Sequence, residues 1–313
     1  MTIVESANLR TRILDNRKWD ILINRIETLH CTPFIGPEAC FGSFPPASEI
    51  ARELAAEYGY PLEDVENLPR VAQFCVNQDG GDPLVKEKLA RKFMSVEPPD
   101  FPDPSEPHQA LASLPFPIYI NTHYHGFCSR ALRAQHKEPR RAVCRWYRDF
   151  DKDPDRATFK GYLPDPANPL VFNLYGHIEE PDSLVLTEDD YLDFLVRIAG
   201  SGNRLIPGPV QDALTNSSLL FLGFPTSEIG FRTLLRYLAC NNQLRRPQRK
   251  ANVSVQVVTV GSTITEEQLA QTKSFLGTYY EQLDVAVFWG SSREFVKELK
   301  QRWQIYEEKK HGR

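Results

Sequence analysis

Residues 118–133 read Ile-Tyr-Ile-Asn-Thr-His-Tyr-His-Gly-Phe-Cys-Ser-Arg-Ala-Leu-Arg. A short apolar run enters a polar turn with two histidines, and a helix-like segment follows. Strand, turn and helix in that order form the repeating unit of an open α/β sheet. Ligands gather at the carboxyl ends of its strands, where backbone amides and helix N-termini point. His123 and His125 therefore stand where chemistry is expected.

Five more runs match the first: Cys31–Ile35, Leu170–Leu174, Ser218–Phe224, Val253–Val260 and Val285–Trp289, with Pro117–Ile120 making six. They are continuously apolar, as strands of a parallel sheet covered on both faces must be. Helical patterns lie between them. Leu14–Thr28 places Trp19, Ile21, Leu22 and Ile26 on one side, and Ser48–Tyr58 repeats Ile50, Leu54 and Tyr58. Tyr191–Ile198 offers Leu192, Leu195 and Val196, and Phe231–Leu238 and Phe295–Trp303 complete the set. Thr187 and Asp190 fit a helix N-cap, as does Ser291 or Ser292. The alternation predicts a doubly wound, mostly parallel Rossmann-type α/β sheet. We expect a single domain over 1–313, its core at about 14–44, 113–133 and 169–313. Helical or proline-rich insertions are expected at about 45–112 and 134–168, flanking the crevice.

Composition narrows the function. A net charge of −4 on 313 residues gives no reason to expect nucleic-acid binding. The basic clusters Arg130–Arg148 and Leu244–Lys250 read as solvated surface, because acidic residues balance the whole, and no aromatic-basic ladder points to nucleic acid. Cysteines 31, 40, 75, 128, 144 and 240 form no Cys-x-x-Cys pair, so buried free thiols are expected rather than a zinc ribbon or disulfides. No signal peptide or membrane-length apolar run is visible, and a cytoplasmic protein is expected.

Several strand ends hold the candidate site. Gly36-Pro37-Glu38-Ala39-Cys40 has the layout of a phosphate loop, yet Pro37 lacks an amide and Glu38 brings a negative charge. It therefore reads as a tight turn. Thr122, His123 and His125 follow the second strand. No metal is expected there, because the two histidines lack a visible third ligand. Acid–base use and simple packing both remain open for them. Tyr175, Gly176 and His177 end the next strand, with Glu179, Glu180 and Asp182 reading as a solvated turn. Gly223-Phe224, Gly261-Ser262 and Gly290-Ser291 close the remaining strands.

Taken together these blocks resemble the bacterial sirtuin-like family, relatives of NAD-dependent deacylases found in prokaryotic defence and conflict systems. Pro33-Phe34-Ile35-Gly36 is similar to its Pro-Phe-Leu-Gly, and Pro117–Leu132 to its Thr-Thr-Asn-Tyr-Asp-Asp segment. Val185-Leu186-Thr187-Glu188-Asp189-Asp190-Tyr191 resembles its Val-Leu-Thr-x-x-Asp-Tyr block, Leu219–Leu235 its Leu-Leu-Phe-Leu-Gly-Tyr strand, and Phe288-Trp289-Gly290-Ser291 its Tyr-Trp-Gly-Ser.

The resemblance implies NAD or an ADP-ribose-type nucleotide as ligand. Gly36, Pro37, Glu38, Cys40, Thr122, Gly176, Gly223, Phe224, Gly290 and Ser291 would line its site, and His123, His125, Tyr175 and His177 would hold the reactive positions. It also implies departures: His123 replaces the family's asparagine, His125 its aspartate, Tyr175 its histidine and Glu38 its second loop glycine. The expectation is a catalytically degenerate protein that holds a nucleotide or serves as a scaffold or regulatory partner in defence, possible homo-oligomer included. The alternative is an active NAD hydrolase. Deacylation is disfavoured by the missing zinc module.

Overall fold

The computed structural model describes residues 14–224 apart from 41, 81, 149–158, 160 and 201–204, and then 233, 252–256 and 265–311. Seven strands form one parallel sheet: β1 (Cys31–Ile35), β2 (Ile118–Asn121), β3 (Arg140–Val143), β4 (Leu170–Asn173), β5 (Ser218–Leu222), β6 (Asn252–Gln256) and β7 (Val285–Trp289). Their order is β3-β4-β2-β1-β5-β6-β7, every described pairing being parallel. The doubly wound α/β expectation holds. β1 lies between β2 and β5, where the chain switches from one half of the sheet to the other. That is where an open α/β sheet leaves its crevice.

Each central strand is apolar throughout because alternate residues serve opposite layers. On one face Phe34, Ile120, Phe172, Phe221 and Val287 join a single buried cluster. On the other, Ile35, Tyr119, Val171, Leu222 and Ala286 join a second. The second layer is covered by α1 (Asn16–Glu27), α5 (Pro107–Ala112), α6 (Phe127–Ala134) and α10 (Ser292–His311), the first by α7 (Glu188–Gly200), α8 (Gly208–Asn216) and α9 (Glu266–Gln282). In α1 the buried stripe is Trp19, Leu22, Ile23 and Ile26, spaced as helical periodicity requires. Each such side chain contributes about 1.5–3 kcal/mol by leaving water. Pro33 is tolerated in a central strand because its missing amide faces β2, with which β1 is paired only from Phe34 onward.

α2 (Ala47–Tyr58), α3 (Leu68–Gln78) and α4 (Asp82–Met94) build a third cluster with Phe44, Phe127, Ile178, Leu184 and Leu186. These last residues follow the sheet's carboxyl ends, so the helical excursion after β1 roofs the crevice. A buried ion pair ties it down: Lys86 Nζ in α4 donates to Asp190 Oδ1 in α7 at 2.7 Å. Asp190 Oδ2 accepts the amides of Leu186 and Thr187, both at 2.9 Å, while Thr187 Oγ1 accepts the Asp190 amide at 3.0 Å. The Thr187 cap expected from sequence is present. It also anchors the roof.

Three expectations need correction. A seventh strand, β3, lies within the segment read as an insertion at 134–168. It is a four-residue edge strand whose Arg140 and Arg141 are exposed, so its sequence carries no apolar run. In α7 the buried apolar residues are Phe194 and Ile198, whereas Leu192 and Val196 are 61% and 72% exposed. The helices α8 and α9 were missed, although Thr265 and Gln268 form a capping box that marks the start of α9. The expected helix at Phe231–Leu238 (but for Thr233), the end of the strand to Val260, Gly261-Ser262 and Leu244–Lys250 lie outside the described residues.

At the far margin Ser291 caps α10. Its Oγ accepts the Glu294 amide at 3.2 Å, and Glu294 Oε2 accepts the Ser291 amide at 2.7 Å. Ser291→Ala is expected to lower stability by about 1 kcal/mol in a denaturant titration. The Leu14 amide donates to Val287 O at 3.1 Å, laying the chain before α1 against β7.

Candidate functional site

The loop after β1 is bound to the end of β5. The Gly36 amide donates to Leu222 O at 2.8 Å, the Glu38 amide to Gly223 O at 2.9 Å, and the Ala39 amide to Gly36 O at 3.2 Å. A Cβ on Gly36 would lie 2.4 Å from Gly223 O. Gly223 has a φ of +77°, and a Cβ there would lie 2.2 Å from Ala39 N. The two glycines let two backbones touch. A phosphate cradle needs amides free to face an anion. Here those of residues 36, 38 and 39 are engaged and Pro37 has none. Burial raises the pKa of the Glu38 carboxyl. The tight-turn reading fits this geometry.

The loop after β2 is set by asparagines. Asn121 Oδ1 accepts the His123 amide at 3.1 Å, and Asn121 Nδ2 donates to His125 O at 3.2 Å and to Asn173 Oδ1 at 3.1 Å. Asn173 Nδ2 donates in turn to Ala142 O, so β2, β4 and β3 are stitched side by side. The Thr122 amide and hydroxyl both donate to Ile35 O, which makes Thr122 a fastener between loops. This path turns His123 and His125 inward, their rings 4.0 Å apart.

His125 Nε2 lies 2.8 Å from Cys40 Sγ, its ring stacked on Phe127 at 3.7 Å. His108 Nε2 approaches the same sulfur at 3.7 Å, and His108 Nδ1 meets Glu106 Oε1 at 2.7 Å. Glu106 Oε2 accepts the Gln109 amide at 2.6 Å, capping α5. All five side chains, His123 included, are buried.

Burial lowers the pKa of His123 to about 3, with the charge of His108 adding to it, and His125 is lowered for the same reasons. Both are neutral imidazoles. For His108 burial also acts downward, but the Cys40 sulfur and the Glu106 carboxylate outweigh it and push the group to about 10. Burial raises the Cys40 thiol against the lowering effect of His108, and with that thiol protonated the Glu106 carboxylate is the anion paired with His108.

Of the remaining candidates, His177 stays near the loop after β2, its Nε2 3.5 Å from where a Cβ on Gly126 would stand. Tyr175 packs its ring in the core beneath α7, 5.3 Å from Phe194 and 5.8 Å from Tyr191; the structure does not bring it to the histidines. Gly176, at φ +90°, allows a turn whose Cβ would lie 2.1 Å from Ser183 O. The His177 amide donates to Ser183 Oγ at 3.0 Å, and its ring lies 3.4 Å from Arg141 Nη1. Burial, then Arg141, lowers its pKa to about 4. Phe224 is buried against Phe221, and Ser291 serves as the cap of α10. The basic stretch near β3 lines an open cavity of about 730 Å³ with Arg133, Lys137, Arg140 and Arg141, balanced by Glu138 and Asp165.

Sequence reasoning missed Glu106 and His108. They sit in Glu-Pro-His-Gln at the end of a proline-rich stretch that reads as linker. The available signal was Pro107 at the first position of a helix behind an acidic cap.

A family model described as the SIR2-like domain matches residues 117–276, just over half of the 313. This chain belongs to the SIR2-like family. Among curated proteins the SIR2-like chain is similar to NAD(+) hydrolase ThsA of Enterococcus faecium, 25% identical over 198 residues, 62% of this chain and 37% of the relative. It is 25% identical over 176 residues to NAD(+) hydrolase ThsA of Acinetobacter baumannii (strain 532279), covering 56% and 32% of the two chains. With NAD(+) hydrolase ThsA of Bacillus cereus (strain MSX-D12) it shares 22% over 182 residues, 56% and 33%. The matches thus span about a third of the length of these relatives. Among the described residues of this SIR2-like chain no helix is long and apolar enough to cross a membrane.

Proposed function

We propose that this SIR2-like domain does not cleave NAD, and that it serves as a nucleotide-holding or scaffolding module of a prokaryotic defence system. One observation carries the reading: His125 and Cys40 are joined at 2.8 Å inside the crevice that the fold provides for a ligand. Breaking the bond between nicotinamide and ribose develops positive charge on the sugar. That charge needs an anion or aligned dipoles beside it and a held water. The crevice instead offers neutral His123 and His125, and beyond them a His108 whose charge is already matched by Glu106. Tyr175, at the family's histidine position by resemblance, is packed in the core. The engaged amides of residues 36, 38 and 39 favour the scaffolding form over a tight grip on pyrophosphate.

The relatives' names favour a second reading, NAD hydrolysis by the same crevice. Incubating the purified chain with NAD and measuring released nicotinamide separates the two. We expect no release above that of a His123→Ala or Tyr175→Phe variant. Turnover that those variants abolish would establish the hydrolase. A thermal shift with ADP-ribose distinguishes holding from scaffolding, since a ligand at 100 times its Kd adds about 2.7 kcal/mol of stability.

A further inference from the structure

We propose that Cys40, His108 and His125 form a binding site for one divalent transition-metal ion of borderline softness, with Zn²⁺ as the type. Their donor atoms, one sulfur and two imidazole nitrogens, all lie within 4.8 Å of one another, and all three residues are buried. They come from three separate segments: the loop after β1, helix α5 and the loop after β2. Nothing in local sequence brings them together. The fold does.

The donor set suits such an ion. Thiolate and imidazole select zinc-like metals, whereas magnesium and calcium prefer oxygen. Bonds of about 2.3 Å to sulfur and about 2.0 Å to nitrogen in a tetrahedron set the two donors about 3.5 Å apart. The Cys40–His108 separation of 3.7 Å already matches. The Cys40–His125 contact of 2.8 Å is a hydrogen bond that an entering ion opens by about 0.7 Å.

In the same step the His125 ring turns off the Phe127 amide, which it meets at 3.2 Å through Nδ1. The ion takes the place of the thiol proton and of the protons on the two Nε2 atoms. One Nε2 proton can pass to Nδ1 of the freed His125 ring, and the others go to solvent.

Two further observations point to a ligand. Glu106 holds the far nitrogen of His108 at 2.7 Å, the carboxylate–histidine arrangement that fixes a metal-binding ring. His123 Nδ1, beside His125, is buried with no hydrogen-bond partner. It stands as a buried polar atom beside the three-residue cluster. Phe44 and Phe127 pack on the histidine rings and keep the site dry.

The test is direct metal loading of the full chain, read without any activity. We expect one equivalent of Zn²⁺ by elemental analysis. With Co²⁺ we expect a thiolate-to-cobalt charge-transfer band together with the strong visible bands of a tetrahedral site. Cys40→Ser should lose the charge-transfer band, His108→Gln and His125→Gln should lose stoichiometric binding, and Cys75→Ser should keep both. Glu106→Gln should weaken affinity about 10–100-fold. Circular dichroism confirms that each variant is folded. A folded wild type that takes up no cobalt with a charge-transfer band, or a Cys40→Ser variant that binds as the wild type does, overturns the assignment.

Discussion

Asp190→Ala is expected to be among the most destabilising single substitutions in this chain, costing about 3–5 kcal/mol. The reason is the company Asp190 keeps. Lys86 is 1% exposed, and removing its carboxylate leaves an ammonium enclosed between α4 and α7. The same substitution deprives the amides of Leu186 and Thr187 of their acceptor. Lys86→Met should cost less, because the carboxylate it leaves behind still receives two amide donors. Asp190→Asn should fall between wild type and alanine. The ordering is checked by urea unfolding of the four proteins. Equal losses for Asp190→Ala and Lys86→Met would show that the two amide bonds contribute nothing. Since the pair fastens the helical roof to the sheet, hydrogen exchange in α2–α4 should rise before exchange in β1 or β5.

Gly223→Ala should be comparably severe for a different reason. A side chain at φ +77° costs roughly 1–3 kcal/mol in backbone strain alone. Here the added methyl also meets Ala39 N at 2.2 Å and Ala39 Cα at 2.9 Å, so the β1 loop must separate from β5. Gly59→Ala is the matched control. It shares a positive φ, +66°, but its Cβ would meet nothing within 4 Å. That variant should lose only about 1 kcal/mol. The difference between the two unfolding free energies measures the contact between the loop and β5. If they are equal, the contact is not rigid.

The sheet was legible because its buried strands are continuous apolar runs, and Cys31–Ile35 or Ser218–Leu222 admit few other readings. Failure came where burial is one-sided. Arg140–Val143 pairs on a single edge and keeps two arginines in water, so its composition is that of a loop. In α7 the apolar residues lie on both sides of the helix. Choosing Leu192 and Val196 over Phe194 and Ile198 requires knowing where the sheet is. The site was half legible. Strand ends located His123, His125 and Cys40, but His108 meets Cys40 across 68 residues from a proline-rich stretch that reads as linker, and Tyr175 turns into the core. Local pattern carries no information about such long-range meetings.

The outer strand β3 has a consequence for assembly. An unpaired strand invites a second chain to add to the sheet. Here Arg141 reaches back to Glu179 at 2.6 Å and Arg140 lies over the Tyr162 ring at 4.3 Å. A newcomer docking alongside would have to strip both guanidinium groups of these companions and of water. At the opposite margin the Leu14 amide already holds Val287. Among the described residues, strand addition therefore meets an obstacle at either border of the sheet.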